Sequence, residues 1–277
     1  MRVIGQQDNI NIIDKWEDLP RFLIIQGEKD SGKNYIIKYL CDKFGIKYEY
    51  KSNAVSAVRE LAGLEYIREK TLYHFEDFDT ASVQAKNALL KIAEEPIDNM
   101  YIVLTGRKQL DTLESRAKKL LMIPYTETDI IEFVQQLDID KDKFTDEVCI
   151  DLYRAGLNTP TKFKFYSQYD KIGELLKFAE DVVSRIICID IDELVYIVGS
   201  FESKYDELDV CNLFLIFIIN LIEYKIKTEH YYSYYEILKL VIAYQEMLVK
   251  EPSLNRRMLL YQLFYSILDK SINQMKR

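Results

Sequence analysis

A glycine-rich segment beginning at Gly27 has the residue types and the spacing of a phosphate-binding loop. It reads GEKDSGKN and ends at Asn34, and its first seven residues match the pattern GxxxxGK. In such a loop the glycines let backbone N–H groups surround a phosphate at the start of a helix, and the lysine, here Lys33, adds a positive charge. An apolar run at residues 22–25 precedes the loop, and a helical pattern at 35–44 follows it. The predicted binding residues are Gly27, Ser31, Gly32, Lys33 and Asn34.

Two adjacent carboxylates lie at the end of another apolar run. The run at residues 72–75 is followed by Glu76 and Asp77. A helical pattern then places apolar residues at i, i+3, i+4 and i+7 over residues 85–92. A proline ends the pattern, because proline disfavours helix at the residue before it. The carboxylates are therefore expected at the junction of a strand and a helix.

A further strand-like run, residues 101–104, ends in Thr105, and a polar segment leads from it to Arg116. The chain thus has a predicted strand, two carboxylates, a helix, a second strand, a polar segment and an arginine in that order. This order resembles the core of an AAA+ ATPase. The resemblance implies an α/β P-loop core, in which a parallel sheet is flanked by helices.

The amino-acid sequences of two parts of the chain make the resemblance more specific. Residues 87–96 read NALLKIAEEP and residues 104–116 read LTGRKQLDTLESR, while residues 251–268 read EPSLNRRMLLYQLFYSIL. These segments resemble the clamp-loader subunits of DNA polymerase III, above all those of the delta-prime type. The resemblance covers the whole chain. It implies ATP or ADP, with Mg²⁺, as the ligand of the phosphate loop.

Three residues of the predicted nucleotide site depart from the pattern of active relatives. Asn34 stands where a Ser or Thr hydroxyl ligates magnesium, and its amide oxygen is bulkier and differently aimed. Glu76 and Asp77 reverse the usual order, in which an Asp orients hydrated magnesium and a Glu polarises the attacking water. Glu76 and Asn34 are thus the metal candidates, and Asp77 is an altered water-activating residue. Misplacing a catalytic group by ~1 Å can cost ~10²-fold, so weak hydrolysis or none is expected. The alternative is a solvated acidic turn.

Two further residues match positions that have roles in clamp loaders. Thr105 stands where relatives hold a polar residue that senses the γ-phosphate, although a threonine that satisfies a turn at a strand end has the same appearance. The triplet at residues 115–117 resembles Ser-Arg-Cys, whose arginine acts on the nucleotide of the neighbouring subunit. The local alternative is that Arg116 is a surface residue paired with Glu114 or Asp111.

The N-terminal residues allow two interpretations. Residues 3–20 read VIGQQDNINIIDKWEDLP, which is similar to the segment where many such ATPases contact adenine. They also have the spacing of an amphipathic helix with Ile10, Ile13 and Trp16 facing inward. Both interpretations can hold at once.

The chain as a whole predicts three domains. Residues 1–125 are predicted to form the nucleotide-binding core. Within it, residues 54–69 are expected to form a helix that is broken near Gly63, and residues 120–124 to form the last strand. Residues 126–172 read as three short helices that match a lid, and its segment GLNTPTK lacks the sensor arginine of active relatives. Residues 173–277 read as a series of longer helices, which matches the collar that joins clamp-loader subunits.

Composition limits the remaining function classes. The net charge is −8 and the pI is about 5.1, so broad electrostatic coating of nucleic acid is not expected and any DNA contact is local. The four cysteines are scattered without a CxxC pair, which predicts reduced thiols in a cytoplasmic protein and no zinc site. The longest apolar run, residues 213–219, is far shorter than the ~20 residues of a membrane-spanning helix.

These features predict a delta-prime-like clamp-loader subunit that binds nucleotide weakly, hydrolyses it slowly or not at all, and donates Arg116 to a neighbouring subunit. The implied partners are the motor and clamp-opening subunits, the sliding clamp, and primed DNA within the complex. One alternative is an active ATP-hydrolysing AAA+ motor, against which Asn34 and the Glu76-Asp77 order argue. A free-standing nucleotide kinase is another, but it needs no collar.

Overall fold

The computed structural model describes residues 4–108, 111–205, 208–229 and 234–275. The chain divides into two compact units, Met1–Asp129 and Ile130–Arg277. The finer division into a lid at 126–172 and a collar at 173–277 stays a prediction.

A five-stranded parallel sheet organises the first unit, with the strands in the order β2-β3-β4-β1-β5. The strands are β1 (Phe22–Gln26), β2 (Lys47–Lys51), β3 (Thr71–Phe75), β4 (Met100–Gly106) and β5 (Lys118–Leu121). The helices are α1 (Gln7–Asp14), α2 (Lys33–Phe44), α3 (Val55–Ala62), α4 (Val83–Glu94) and α5 (Asp111–Glu114), with a short 3-10 turn at Phe78–Thr80. Because all strands run the same way, the segments after β1, β3 and β4 meet at one edge of the sheet.

The three central strands of the sheet are covered on both faces. Every residue of β3 and β4 is buried, and β1 is buried except at Gln26. One face of the sheet packs against apolar residues of α3 and α4, and the other against those of α1 and α2. This burial explains why the strands read as continuous apolar runs rather than as alternating ones.

The structure adds one strand that the sequence pattern does not predict. β2, Lys47–Lys51, consists of alternating charged and aromatic residues, and it is only partly buried. It lies at the edge of the sheet and pairs with β3 alone. An edge strand that is half solvated does not need the apolar run by which the central strands are recognised.

Two predicted elements of the core are wrong in their extent. The helix expected over 54–69 does break at Gly63, whose N–H bonds back to earlier carbonyl groups, but it ends there at Ala62, and residues 64–70 form no helix. The last strand is Lys118–Leu121 rather than 120–124. It stops early because Pro124 has no N–H to offer the sheet.

Helices make up the regular structure of the rest of the described chain. They are α6 (Glu127–Gln136), α7 (Asp146–Arg154), α8 (Pro160–Tyr166), α9 (Ile172–Arg185), α10 (Ile191–Lys204), α11 (Leu208–Glu229), α12 (Tyr234–Lys250) and α13 (Arg256–Met275). Thr145, Thr159 and Asp190 cap α7, α8 and α10 by accepting a backbone N–H bond. In the part of the chain that the structure describes, no helix is long and apolar enough to cross a membrane. The predicted fold class, an α/β parallel core followed by a helical region, is confirmed.

Candidate nucleotide site

The predicted phosphate loop connects β1 to α2. Gly32 has a φ of 90°, a left-handed conformation that glycine adopts without strain, and α2 begins at the next residue. At the other end of the loop, the Gly27 N–H donates to the carbonyl oxygen of Gly106 at 3.0 Å. The loop therefore lies where β1 and β4 both end, in front of the N-terminus of α2, which is the position in which backbone N–H groups attract an anion.

Lys33, the cation of the loop, is engaged within the loop itself. The residue is buried, and its Nζ donates to the carbonyl oxygens of Gly27 at 3.0 Å and Glu28 at 2.6 Å. Nearby, the hydroxyl of Ser31 is buried without a hydrogen-bond partner. An unsatisfied buried polar group costs ~1–3 kcal/mol, and a phosphate oxygen is one group that could satisfy it. The loop thus combines an unused donor with a lysine that must leave two carbonyls before it contacts a phosphate.

The two candidate metal residues lie side by side. The Nδ2 of Asn34 donates to the Oε1 of Glu76 at 3.1 Å. The backbone carbonyls of Glu76 and Asp77 accept bonds from the Nδ2 of Asn53, at 2.7 and 3.4 Å, so a residue that follows β2 holds the acidic turn. Asp77 is exposed and left-handed, with a φ of 46°. Within the described ranges, no group of three or more His, Cys, Asp or Glu side chains is placed to hold a metal ion.

Thr105, the predicted sensor, belongs to a hydrogen-bonded network around the buried side chain of His74. The Nε2 of His74 lies 3.0 Å from the Oγ1 of Thr105, and its Nδ1 lies 3.0 Å from the hydroxyl of Tyr48. The backbone N–H of Asp77 also donates to the Oγ1 of Thr105, at 3.4 Å. Burial lowers the pKa of His74 to about 4, so the imidazole is neutral at pH 7. The sequence pattern gives no sign of this network, because Tyr48 lies in a strand that it does not predict.

Arg107 is a second cation beside the loop, outside the GxxxxGK motif. Its Nε lies 3.0 Å from the Oε2 of Glu28, and both side chains are exposed. Its backbone N–H donates to the Oδ2 of Asp79 at 3.3 Å, while the Oδ1 of Asp79 is buried without a partner. An exposed ion pair contributes little to stability, so Arg107 is better understood as a charge at the rim of the loop.

Arg116 contacts α4 and α5 rather than the residues of the phosphate loop. Its Nε and Nη2 lie 2.9 and 2.7 Å from the Oε1 of Glu94, and its Nη1 donates to the carbonyl of Thr112 at 2.7 Å. The carboxylate that Arg116 contacts is thus Glu94 of α4, while Glu114, one of the two expected local partners, pairs with Lys119. The side chain of Arg116 is 37% exposed and that of Glu94 52%. A guanidinium held in this way remains accessible to another molecule.

The N-terminal segment forms the predicted amphipathic helix and also reaches the end of β5. Ile10 and Ile13 of α1 are buried in the core. Gln6, which precedes the helix, is buried and pairs with the backbone of Ile123 through both ends of its amide. Its Nε2 donates to the carbonyl at 2.6 Å and its Oε1 accepts from the N–H at 3.2 Å. The segment is therefore fixed near the phosphate loop, and its contact with adenine stays a prediction.

The predicted site residues thus fall into two groups. The loop, Asn34, Glu76, Asp77 and Thr105 meet at one edge of the sheet, whereas Arg116 has contacts of its own. His74, Tyr48, Asn53 and Arg107 are additional members that the motifs do not reveal.

Comparison with solved structures gives two similarities of low identity. A DNA polymerase III gamma subunit-related protein from Thermotoga maritima is 17% identical, with a TM-score of 0.48 over 96% of this chain and 99% of that chain. A RuvB mutant from Thermotoga maritima is 14% identical, with a TM-score of 0.44 over 82% of this chain and 78% of that chain. Neither TM-score reaches 0.5, so the function proposed below rests on other observations.

Comparison with curated protein sequences finds no match. Among protein families, residues 51–125 match the one described as DNA polymerase III, delta subunit. The match spans less than half of the chain, but it includes Glu76, Asp77, Thr105 and Arg116. In this segment the match agrees with the resemblance to subunits of DNA polymerase III.

Proposed function

We propose that this chain is a delta-prime-like subunit of a DNA polymerase III sliding-clamp loader. It binds nucleotide weakly, does not hydrolyse it at an appreciable rate, and supplies Arg116 to the nucleotide of a neighbouring subunit. The observation that carries the proposal is the hydrogen bond between Asn34 and Glu76, at 3.1 Å. Through this bond the side-chain amide of Asn34 engages an oxygen of the Glu76 carboxylate, which a hydrolysing site would direct at magnesium.

Weak binding of ATP or ADP follows from the atoms of the loop. A phosphate group fits here, because the N-terminus of α2, the unpartnered Ser31 hydroxyl and Lys33 lie together. Lys33 has to exchange two carbonyl bonds for phosphate contacts, and each such bond is worth ~1 kcal/mol net. Bound Mg²⁺ would neutralise charge on the phosphates. The exchange of the Lys33 carbonyl bonds for phosphate contacts lowers the affinity for nucleotide without abolishing binding.

Slow or absent hydrolysis follows from the groups around the acidic turn. Asp77, in the water-activating position, is one methylene shorter than the usual glutamate. The hydroxyl of Thr105 already accepts a bond from the N–H of Asp77 and lies within bonding distance of His74. A hydroxyl engaged in this way is poorly placed to respond to a γ-phosphate. The predicted lid segment GLNTPTK also lacks the sensor arginine of active relatives, which favours slow hydrolysis as well.

Arg116 is the residue through which this subunit contributes to catalysis elsewhere. The fixed fork of a guanidinium suits charge that is spread over a transferring phosphoryl group. Its present partner, Glu94, is half exposed, and exposed ion pairs are worth ~0–1 kcal/mol. Exchanging this carboxylate for the phosphate of a neighbour therefore costs little.

Large exposed apolar side chains on the C-terminal helices support a role in assembly. They include Ile191, Val195 and Tyr196 on α10, and Met258 and Tyr265 on α13. Ile191 and Val195 lie four residues apart and therefore on one face of α10, and exposed apolar patches usually mark an interface. In the proposed complex these helices join the motor and clamp-opening subunits, and the assembled ring places the sliding clamp on primed DNA.

The test is to reconstitute the loader with partner subunits from the same source and to compare wild type with Arg116→Ala and Arg116→Lys. Both variants should assemble normally. Both should lose most of the ATPase activity at one site, since trans arginine fingers are worth ~10³-fold or more there. Lysine should not rescue the rate, because it keeps the charge but lacks the planar fork. Arg21→Ala is a matched control, because Arg21 is similarly exposed and ion-paired (40% for its side chain).

Unchanged ATPase and clamp-loading rates in the Arg116→Ala complex would reduce Arg116 to a surface ion-pair residue. The competing motor function is tested on the isolated chain. Steady ATP hydrolysis that Lys33→Ala abolishes would show that this subunit is itself a motor.

A further inference from the structure

Both glycines of the phosphate loop are covered by side chains from the segment that follows β5. We call residues 122–125 the strand exit. A methyl group at Gly27 would lie 2.5 Å from the Cβ of Met122, and one at Gly32 would lie 2.6 Å from the hydroxyl oxygen of Tyr125. These distances are too short for any side chain. The strand exit therefore packs directly against the backbone of the phosphate loop.

Tyr125 is enclosed by the N-terminal segment as well. A methyl group at Gly5 would lie 2.4 Å from the Cδ1 and 2.7 Å from the Cε1 of the Tyr125 ring. The residue is only 9% exposed. Burial, with the nearby Asp129 charge adding to it, raises the pKa of its hydroxyl to about 12. The ring thus fills the space between Gly5 and Gly32.

The strand exit is held in this place by hydrogen bonds from two directions. The Met122 N–H donates to the Gln26 carbonyl at 2.7 Å, which continues the pairing of β5 with β1. Gln6 binds both the N–H and the carbonyl of Ile123. The Nδ2 of Asn9 donates to the carbonyl of Leu121 at 3.0 Å. These bonds fix the backbone at Leu121, Met122 and Ile123, from which the chain continues to Tyr125.

A buried ring next to the phosphate loop can affect a nucleotide in two opposite ways. It could stack on the base, which would strengthen binding, but a stacking ring must leave one face open to its ligand. Tyr125 leaves only 9% of its surface open, and its ring and hydroxyl meet glycine backbone on two sides. The geometry therefore favours exclusion, in which the ring takes space that the ligand needs.

We propose that the Tyr125 ring occupies part of the space that a nucleoside requires beside the phosphate loop, and that it lowers the nucleotide affinity of the site beyond the effect of the Lys33 bonds. The inference rests on the proposed function only in taking the loop to be a site for nucleotide phosphates. Nucleotide binding then requires the ring to move out from between Gly5 and Gly32. The apparent affinity is the intrinsic affinity multiplied by the fraction of molecules in which the ring has moved.

The test measures ADP and ATP binding to the full chain by calorimetry in the presence of Mg²⁺. Tyr125→Ala removes the ring and should tighten binding about tenfold or more, as expected when the competent state is about a tenth or less of the population. Tyr125→Leu keeps apolar volume near Gly5 and should also tighten binding. Tyr125→Phe keeps the ring and should bind as wild type does. Tyr66→Ala, which truncates a tyrosine that is 67% exposed, is the control for loss of the side chain alone.

Binding by Tyr125→Ala and Tyr125→Leu that is equal to or weaker than wild type would overturn the inference, and weaker binding would identify the ring as a stacking surface. Absence of binding in every variant would overturn it too, since removing the ring would then not open the site. Neither result bears on assembly or on Arg116, which the loader experiments test separately. Unfolding curves for each variant show that a folded protein was titrated, and the leucine variant serves where the alanine variant is unstable.

Discussion

His74 is expected to make the protein markedly less stable in mild acid. The residue is 1% exposed, and both ring nitrogens lie 3.0 Å from hydroxyl oxygens, those of Thr105 and Tyr48. Burial lowers its pKa from 6.5 to about 4, and the negative charge of Glu76 offsets only part of this effect. The imidazole therefore stays neutral in the folded protein at pH values where it binds a proton in the unfolded chain.

The size of the effect follows from the two pKa values. Between pH 6.5 and 4 the unfolded chain binds one proton at this residue that the native state does not bind, so stability falls as the pH falls. The stabilising contribution is complete above about pH 6.5 and is lost as the pH approaches about 4. The difference of about 2.5 pKa units, at about 1.36 kcal/mol each, corresponds to a loss of about 3 kcal/mol. That is a large share of the ~5–15 kcal/mol by which a domain is folded.

Urea unfolding at a series of pH values between 7 and 4 measures this loss in wild type and in His74→Gln. Glutamine can donate and accept a hydrogen bond but does not titrate. Carboxylates that also titrate in this range are common to both proteins, so their effects cancel in the difference. The stability of wild type relative to the variant should fall by about 3 kcal/mol over the range. A difference that stays constant with pH would refute the reasoning.

The other expected outcomes concern backbone geometry and assembly. Gly32→Ala should lower the free energy of unfolding by ~2 kcal/mol or more, because a methyl group there adds a contact at 2.6 Å with Tyr125 to the strain of a φ of +90°. Gly45→Ala, at a φ of +61° with nothing within 4 Å, should cost only ~1–2 kcal/mol, and equal losses in urea unfolding would contradict the contact. Ser82→Ala should cost ~1 kcal/mol in thermal unfolding, because its hydroxyl accepts an N–H bond at 3.2 Å in the first turn of α4. Deleting residues 173–277 should leave a soluble core that no longer co-elutes with partner subunits, and a truncated chain that still assembles would contradict the collar assignment.

Much of the core could be predicted because its central strands must be apolar along their whole length. β1, β3 and β4 lie between two layers of helices, so burial on both faces leaves a continuous signal in the sequence. β2 carries no such signal, since one edge and part of its surface face solvent. The missed strand at 47–51 and the overlong helix at 54–69 therefore have one cause. Whether a partly exposed segment forms a helix or a strand depends more on its contacts with neighbouring elements than on its own sequence pattern.

Some features of the candidate site are formed by residues close together in the sequence, and others by residues far apart. The phosphate loop is predictable because GxxxxGK places its groups within eight consecutive residues. The contacts that set its properties join distant residues, as when Tyr125 covers Gly32 or Tyr48 binds His74. The partner of Arg116 illustrates the limit, because Glu94 comes from another helix and no spacing rule finds it.

The strand order has a consequence for the synthesis of this protein. Phe22 of β1 lies opposite Ile102 of β4, whereas Lys47 of β2 lies opposite Thr71 of β3. The pair of β2 and β3 can therefore form long before β4 is made and β1 gains its partner. A ribosome adding about 5–20 residues per second needs about 4–16 seconds to make the intervening chain. During that interval the apolar run of β1 has no sheet partner. A chain that stalls before β4 is complete therefore exposes this run, and it is the segment through which truncated products should aggregate.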